Sequence, residues 1–138
     1  YLTGTVRTWS KKTREAMPDR LRRLIDRSAK AFGATAKLTY EAGNAGLSND
    51  KKSAERAQVS VKKLFGEEAL ADYQGTLAGE DFAEYLERVP GAFVFLGCRN
   101  PKMDAVHAQH SCYYRIDESV LAKGSMLSTQ YAVDFLAE

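Results

Sequence analysis

Gly79-Glu80-Asp81-Phe82, then Val89-Pro90-Gly91-Ala92-Phe93-Val94-Phe95-Leu96-Gly97, then His110: an acidic loop, a short helix, an apolar strand and a loop histidine. Phe82 to Arg88 has the length of a short helix that Asp81 can cap, and Pro90-Gly91 closes it. Ala92 to Leu96 is an unbroken run of β-formers, as expected for a central strand buried on both faces. Ligands bind in loops at the ends of such strands in α/β folds, which places residues 100–111 where chemistry is expected.

Working outward, residues 2–9 alternate loosely with Thr3, Thr5, Val6 and Thr8 and read as a strand. Ser10 then caps a helix in which Met17, Leu21, Leu24, Ile25, Ser28 and Phe32 recur at spacings of three and four. Arg20, Arg22, Arg23, Arg27 and Lys30 take its wet side. Pro18 fits only near a first turn, which predicts a late start or a kink, and Gly33 ends the helix. With a second strand at residues 35–40 this makes a β-α-β unit.

Residues 42–50 are rich in Gly, Asn and Ser and mark a boundary. Asn49 or Asp50 caps the next helix, which carries Ala54, Ala57, Val61, Leu64 and Phe65 and stops at Gly66. Residues 69–73 are a strand or a loop. Asp117 caps a last helix with Val120, Leu121, Leu127, Tyr131, Phe135 and Leu136 on its inner face.

The chain has 138 residues, 44% hydrophobic and 28% charged, which is ordinary for a globular protein. Residues 1–40 hold ten Lys/Arg against three Asp/Glu, leaving ten against fifteen in the remainder. That basic segment lacks the interleaved aromatics that stack bases, so a solvated helix face is expected and no nucleic acid. Cys98 and Cys112 form no CxxC motif, and two thiols fit a reducing cytoplasm. No apolar run reaches the roughly 18 residues of a membrane span, so no membrane partner is expected. The chain opens on Tyr1 in a strand-like segment, as the middle of something longer does.

His110 reads alone as a metal ligand or as a solvated loop histidine; His107, three residues before it, is the chain's other imidazole. A catalytic zinc needs about three protein ligands. Glu80 and Asp81 read either as paired acid–base carboxylates or as helix-terminal groups, and Gly79 allows the tight backbone both need. Arg7 is a carboxylate clamp or an exposed strand residue. Trp9, Tyr113 and Tyr114 read as packing residues and Cys98 as a buried small hydrophobe.

The order of these motifs resembles, from end to end, the binuclear metallo-amidohydrolases: hippurate hydrolases, N-acyl-amino-acid amidohydrolases and indoleacetyl-amino-acid hydrolases. The matching stretches are Gly4-Thr5-Val6-Arg7-Thr8, the basic helix, Asn49-Asp50, the Gly-Glu-Asp-Phe to Pro-Gly-Ala-Phe block, His110, and Ile116-Asp117-Glu118 with Leu121 and Gly124. Cys112 stands where a proline is common after the histidine, and Arg99-Asn100-Pro101 replaces a more glycine-rich loop. The resemblance implies an α/β fold: residues 1–47 as the second half of a ferredoxin-like lid, residues 48–138 as the C-terminal segment of a metallopeptidase-like catalytic domain.

It further implies His110 as a metal ligand, Arg7 as the holder of the substrate's carboxylate, and Gly79, Glu80 and Asp81 as a loop near the site. Two divalent ions (zinc, manganese or cobalt) serve that family, polarising an amide carbonyl and activating a water while a glutamate shuttles its proton. At most one of their ligands is expected in this chain, with no catalytic residue. The expected function is the C-terminal portion of an amidohydrolase acting on N-acyl amino acids or small peptides, inactive alone. A homodimer, or association with a missing N-terminal half, is expected with it. The alternative is a non-catalytic ligand-binding or dimerisation module.

Overall fold

A computed structural model describes residues 1–138. The ordered elements are four helices: α1 (Lys11–Ala31), α2 (Lys51–Phe65), α3 (Ala83–Leu86) and α4 (Val120–Leu136), with single 3₁₀ turns at Glu67–Ala69 and Pro101–Met103. The chain divides into two compact units, residues 1–48 with 74–89 and residues 49–73 with 90–138.

The expected α/β sheet is not formed. Residues 2–9, 35–40 and 92–96 carry no strand, and the one β-bridge joins Asn100 and Ala105. A strand exists only as a ladder, because its N–H and C=O groups need a neighbour's. No second strand lies beside any of these segments. Asn49 supplies a fragment of that pairing: its side-chain amide donates to Phe93 O at 2.9 Å and accepts from Phe93 N at 2.8 Å. Asp50 N adds a bond to Gly91 O at 3.0 Å. One amide side chain thus stands in for a strand neighbour at a single residue.

In the first unit α1 begins as the sequence predicts. Ser10 accepts from Thr13 N at 3.1 Å, and Gly33, at φ 64°, takes the left-handed position beyond the helix end. Pro18 lies inside the helix, eight residues in, rather than in its first turn. Met17, Leu21 and Ile25 are half-buried, but nothing on α1 is fully buried and Phe32 is 88% exposed. Polar links tie the unit together. Lys11 Nζ meets Glu87 Oε2 at 2.6 Å, Arg14 Nη1 donates to Gly43 O at 3.1 Å, and Ala45 N donates to Glu84 Oε1 at 2.8 Å.

In the second unit Asp50 caps α2, accepting from Ser53 N and Ser53 Oγ at 2.9 Å each. Gly66, at φ 86° and ψ 168°, stops it in a backbone region that essentially only glycine enters. Helices α2 and α4 pack against each other through charge and hydroxyl groups. Ser60 Oγ donates to Asp134 Oδ2 at 2.7 Å, and Lys63 Nζ binds Asp134 Oδ1 at 2.6 Å. Arg56, whose side chain is 7% exposed, holds Glu138. The predicted inner face of α4 is covered only in part: Val120, Leu127 and Tyr131 are half-buried, Leu121 and Phe135 are exposed, and Leu136 is 81% exposed. Val94, Phe95 and Leu96, expected in the core, are exposed as well.

The chain exposes 11349 Å². A compact monomer of this size exposes roughly 7,000 Å², and two separate compact halves together roughly 8,600 Å².

The carboxylates of the α2–α4 contact respond to acid in a defined direction. Asp134 is lowered from 3.8 to about 2, first by the hydrogen bond from Lys63 and then by that from Ser60. Glu138 is lowered from 4.5 to about 2, chiefly by Arg56 and then by Lys52. Folded values below the unfolded ones mean that this support is complete above about pH 4.5 and lost as pH falls toward 2. Far-UV circular dichroism is therefore expected to hold steady down to about pH 4.5 and to lose helix between there and pH 2. Helicity unchanged at pH 2 would exclude this role.

Candidate functional site

Of the residues singled out in the sequence, the first unit brings Arg7 and the acidic loop together. A Cβ placed on Gly79 would fall 2.8 Å from Arg7 Nη1, so the guanidinium lies over the one residue in this loop without a side chain. Arg7 itself is exposed. Asp81 does not cap α3. Its backbone carbonyl accepts from Glu84 N at 3.0 Å, while the Glu80 carboxylate meets the amide just before α3, Oε1 accepting from Phe82 N at 3.2 Å. Glu80 O also accepts from Ala83 N at 3.3 Å, and Ala83 is fully buried. The two adjacent carboxylates thus differ: Glu80 is half-buried and engaged with the helix start, and Asp81 is exposed. The Arg7 guanidinium thus lies beside the loop that carries both carboxylates, with Glu80 tied to the turn that enters α3.

His110 lies in the second unit, on a loop whose ends are joined. Asp117 N donates to Cys98 O at 3.0 Å, and Asn100 Nδ2 donates to Asp117 Oδ2 at 2.7 Å. Asn100 and Ala105 exchange both backbone hydrogen bonds, at 2.9 and 3.0 Å. Further out, Ser111 N donates to Ala108 O at 3.2 Å and Tyr114 N to Ser111 O at 3.0 Å. The His107 and Tyr113 rings stand 5.7 Å apart across the tip. His110 sits between them, exposed, with a left-handed φ of 67°. A non-glycine residue there is uncommon, though histidine enters that region more readily than most.

His107 is placed differently from His110: its Nε2 faces Asp104 Oδ1 at 3.6 Å. Its ring also lies against that of Tyr113. Asp117 is not the cap of α4 either. That helix begins after Ser119, and Asp117 Oδ1 accepts from Ser119 N at 3.0 Å one turn before it. The Asp117 carboxyl is held below its ordinary value, first by Ser119 and then by Asn100. Cys98 is half-buried with its Sγ 4.0 Å from Tyr114 Oη, and Cys112 is exposed; both thiols are free.

No group of three His, Cys, Asp or Glu converges anywhere in the structure. One exposed imidazole does not make a binding site for a catalytic zinc, which takes about three protein donors. The residues present therefore do not fit a complete metal centre. No helix is long and apolar enough to cross a membrane.

Asn100 and Glu84 are working residues that sequence reasoning passed over. Asn100-Pro101 is a recognisable turn-initiating pair, and Asn100 Oδ1 accepts from Lys102 N at 3.0 Å as such a turn requires. Nothing in the sequence pairs Glu84 with Ala45, 39 residues away.

Comparison with known proteins bears out the family resemblance. The chain is 27% identical to thermostable carboxypeptidase 1 of Saccharolobus solfataricus over 97% of its own length and 34% of the relative's. It is 30% identical to N-acetylcysteine deacetylase of Bacillus subtilis over 96% of its length and 33% of that protein. With IAA-amino acid hydrolase ILR1-like 6 of Arabidopsis thaliana it shares 29% identity over 98% of its length and 30% of that protein. The chain thus spans about a third of the length of the curated relatives it matches. No solved structure matches it. Residues 4–134 match peptidase family M20/M25/M40 along almost the whole sequence, and the chain belongs to that family.

Proposed function

We propose that this chain is the C-terminal portion of a metal-dependent amidohydrolase that cleaves N-acyl amino acids or small peptides. Residues 1–47 form part of its lid and residues 48–138 the closing part of its catalytic domain. The observation that carries the reading is the family match over residues 4–134, within which His110 stands at the tip of a loop closed at its base. Relatives named carboxypeptidase, deacetylase and amino acid hydrolase have in common the cleavage of an amide bond next to a carboxylate.

In this reading His110 donates one imidazole to a centre of two divalent ions (zinc, manganese or cobalt). The other donors and the general base come from polypeptide outside this sequence. Arg7 receives the substrate carboxylate, and the Gly79–Asp81 loop shapes the pocket beside it, as their juxtaposition supports. The apolar surfaces of α4 and of residues 94–96 are then covered by the rest of the catalytic domain, and the unpaired residues 2–9 and 35–40 by the lid sheet. Two free thiols suit a reducing, cytoplasmic compartment. Half of a lid sheet leaves an edge unpaired, which favours dimerisation of this chain, read directly by light scattering.

The test is reconstitution. Alone, the chain is expected to bind zinc weakly and to hydrolyse hippurate or N-acetylcysteine negligibly. Joined to the remaining two thirds of a family enzyme, it is expected to yield turnover that needs added divalent metal. Stoichiometric tight zinc with turnover by the isolated chain is the result that refutes the reading.

A further inference from the structure

We propose that Asn100 and Asp117 are positioning residues for His110, locking the loop that carries its imidazole. The inference rests on the reading of His110 as a metal ligand and adds to it the device that fixes the loop on which the ring is carried.

The geometry makes the pair more than an incidental hydrogen bond. Asn100 uses its whole inventory at the loop base: N and O pair with Ala105, Oδ1 accepts from Lys102 N, and Nδ2 donates to Asp117. Asp117 does likewise, donating N to Cys98 O, giving Oδ1 to Ser119 N and Oδ2 to Asn100. The side-chain bond is short, 2.7 Å, and has an ionised acceptor, which makes it stronger than a neutral pair. It joins the stretch leaving residue 98 to the turn entering α4. Between these anchors the Asn100–Ala105 bridge and the His107–Tyr113 contact subdivide the loop, so that His110 belongs to a short inner segment rather than to a free span of sixteen residues. Neither residue touches His110, so the pair acts through the backbone of the loop, and a small misplacement of a binding group is enough to lower activity by up to about 100-fold.

Exchanging the two side chains isolates the bond. Asn100→Asp sets two carboxylates against each other, so the contact survives only where one of them is protonated. Asp117→Asn sets two amides together and removes the charge. The double exchange Asn100→Asp with Asp117→Asn restores a donor facing a carboxylate, and leaves acceptors for Lys102 N and Ser119 N.

In the full-length enzyme we expect Asn100→Asp to lower kcat/KM by up to about 100-fold at neutral pH, through misplacement of the loop. Amide exchange across residues 105–116 should speed up in that variant, and slow again as pH drops into the range where the carboxylate pair takes up a proton. The double exchange should return both readouts to within about threefold of the parent. Single variants that change neither loop exchange nor turnover overturn the inference. So does a double exchange no better than the singles, or a loosened loop with full turnover while His110→Ala is inactive. Should His110→Ala itself keep full turnover, the amidohydrolase reading of this histidine fails instead, and with it the purpose assigned to the clamp. The exchange data still report separately whether the loop is locked.

Discussion

Replacing His110 by alanine in the complete enzyme is expected to lower kcat/KM by at least about 100-fold and to weaken binding of one metal equivalent by a similar factor. The floor comes from chemistry: second-shell changes alone cost about 10–100-fold, and deleting a ligand removes the donor itself. Structure and stability should hardly move. His110 is exposed, and its backbone already adopts the left-handed conformation, so alanine loses no packing. The cost there is the difference between histidine and alanine in that region, below about 1 kcal/mol. Loss of turnover with an unchanged melting temperature is thus the expected signature. His107→Ala should give the opposite pattern, because that ring lies against Tyr113 and near Asp104: a looser loop, a smaller kinetic effect and no loss of metal stoichiometry. Equal effects of the two substitutions on metal stoichiometry would contradict the distinct places the structure gives them. Asn100→Asp falls between the two, which makes the three variants a graded series.

The helices were legible in the sequence because their signals are local. Ser10, Gly33, Asp50 and Gly66 act on amides and carbonyls within one turn, and each does so here. Strand propensity was equally plain in residues 92–96, yet no sheet followed. A strand's hydrogen bonds are made by another segment, and β-propensity describes fitness for such a neighbour rather than the neighbour's presence. The same reasoning explains α4. Its apolar positions were read as an inner face, but amphipathicity specifies only which side is to be covered. What covers it is set by polypeptide that packs there, and Leu121, Phe135 and Leu136 remain exposed.

Site residues divide in the same way. Arg7 and Gly79 were picked out by family resemblance and do lie side by side. The Asp81 and Asp117 caps were each placed too close to the helix they precede, because Phe82 and Ser119 already have helical backbone angles and stand in the cap position instead. Long-range polar pairs such as Glu84 with Ala45 and Arg56 with Glu138 leave no periodic trace and had to be seen.

Arg56 gives the other large effect, on stability. Its guanidinium holds Glu138 through two bonds, Nε to Oε1 at 2.9 Å and Nη2 to Oε2 at 2.6 Å, and Nη1 donates to Tyr131 Oη at 3.3 Å. Its Cζ also lies 4.9 Å from the centre of the Phe135 ring. The charge is buried on the α2 side, while the Glu138 side chain remains 46% exposed. Removing either partner is therefore unequal. Arg56→Met leaves a carboxylate that water can still reach and keeps an unbranched side chain against Phe135 and Tyr131. Glu138→Ala leaves an enclosed guanidinium facing an aromatic ring and a single hydroxyl, and an unpaired buried charge is the costlier defect. Glu138→Ala is thus expected to loosen α4 more than Arg56→Met does, although it deletes the smaller and more exposed side chain. Arg56→Ala, which also removes the packing, should lower the melting temperature by about 5–10 °C. Arg56→Lys should not rescue, because an ammonium cannot make the forked contact with both carboxylate oxygens. Thermal unfolding with amide exchange over α2 and α4 reads all four variants. An Arg56→Met protein less stable than Glu138→Ala would mean that the guanidinium contributes mainly through its contacts with Tyr131 and Phe135, and that leaving it unpaired costs little.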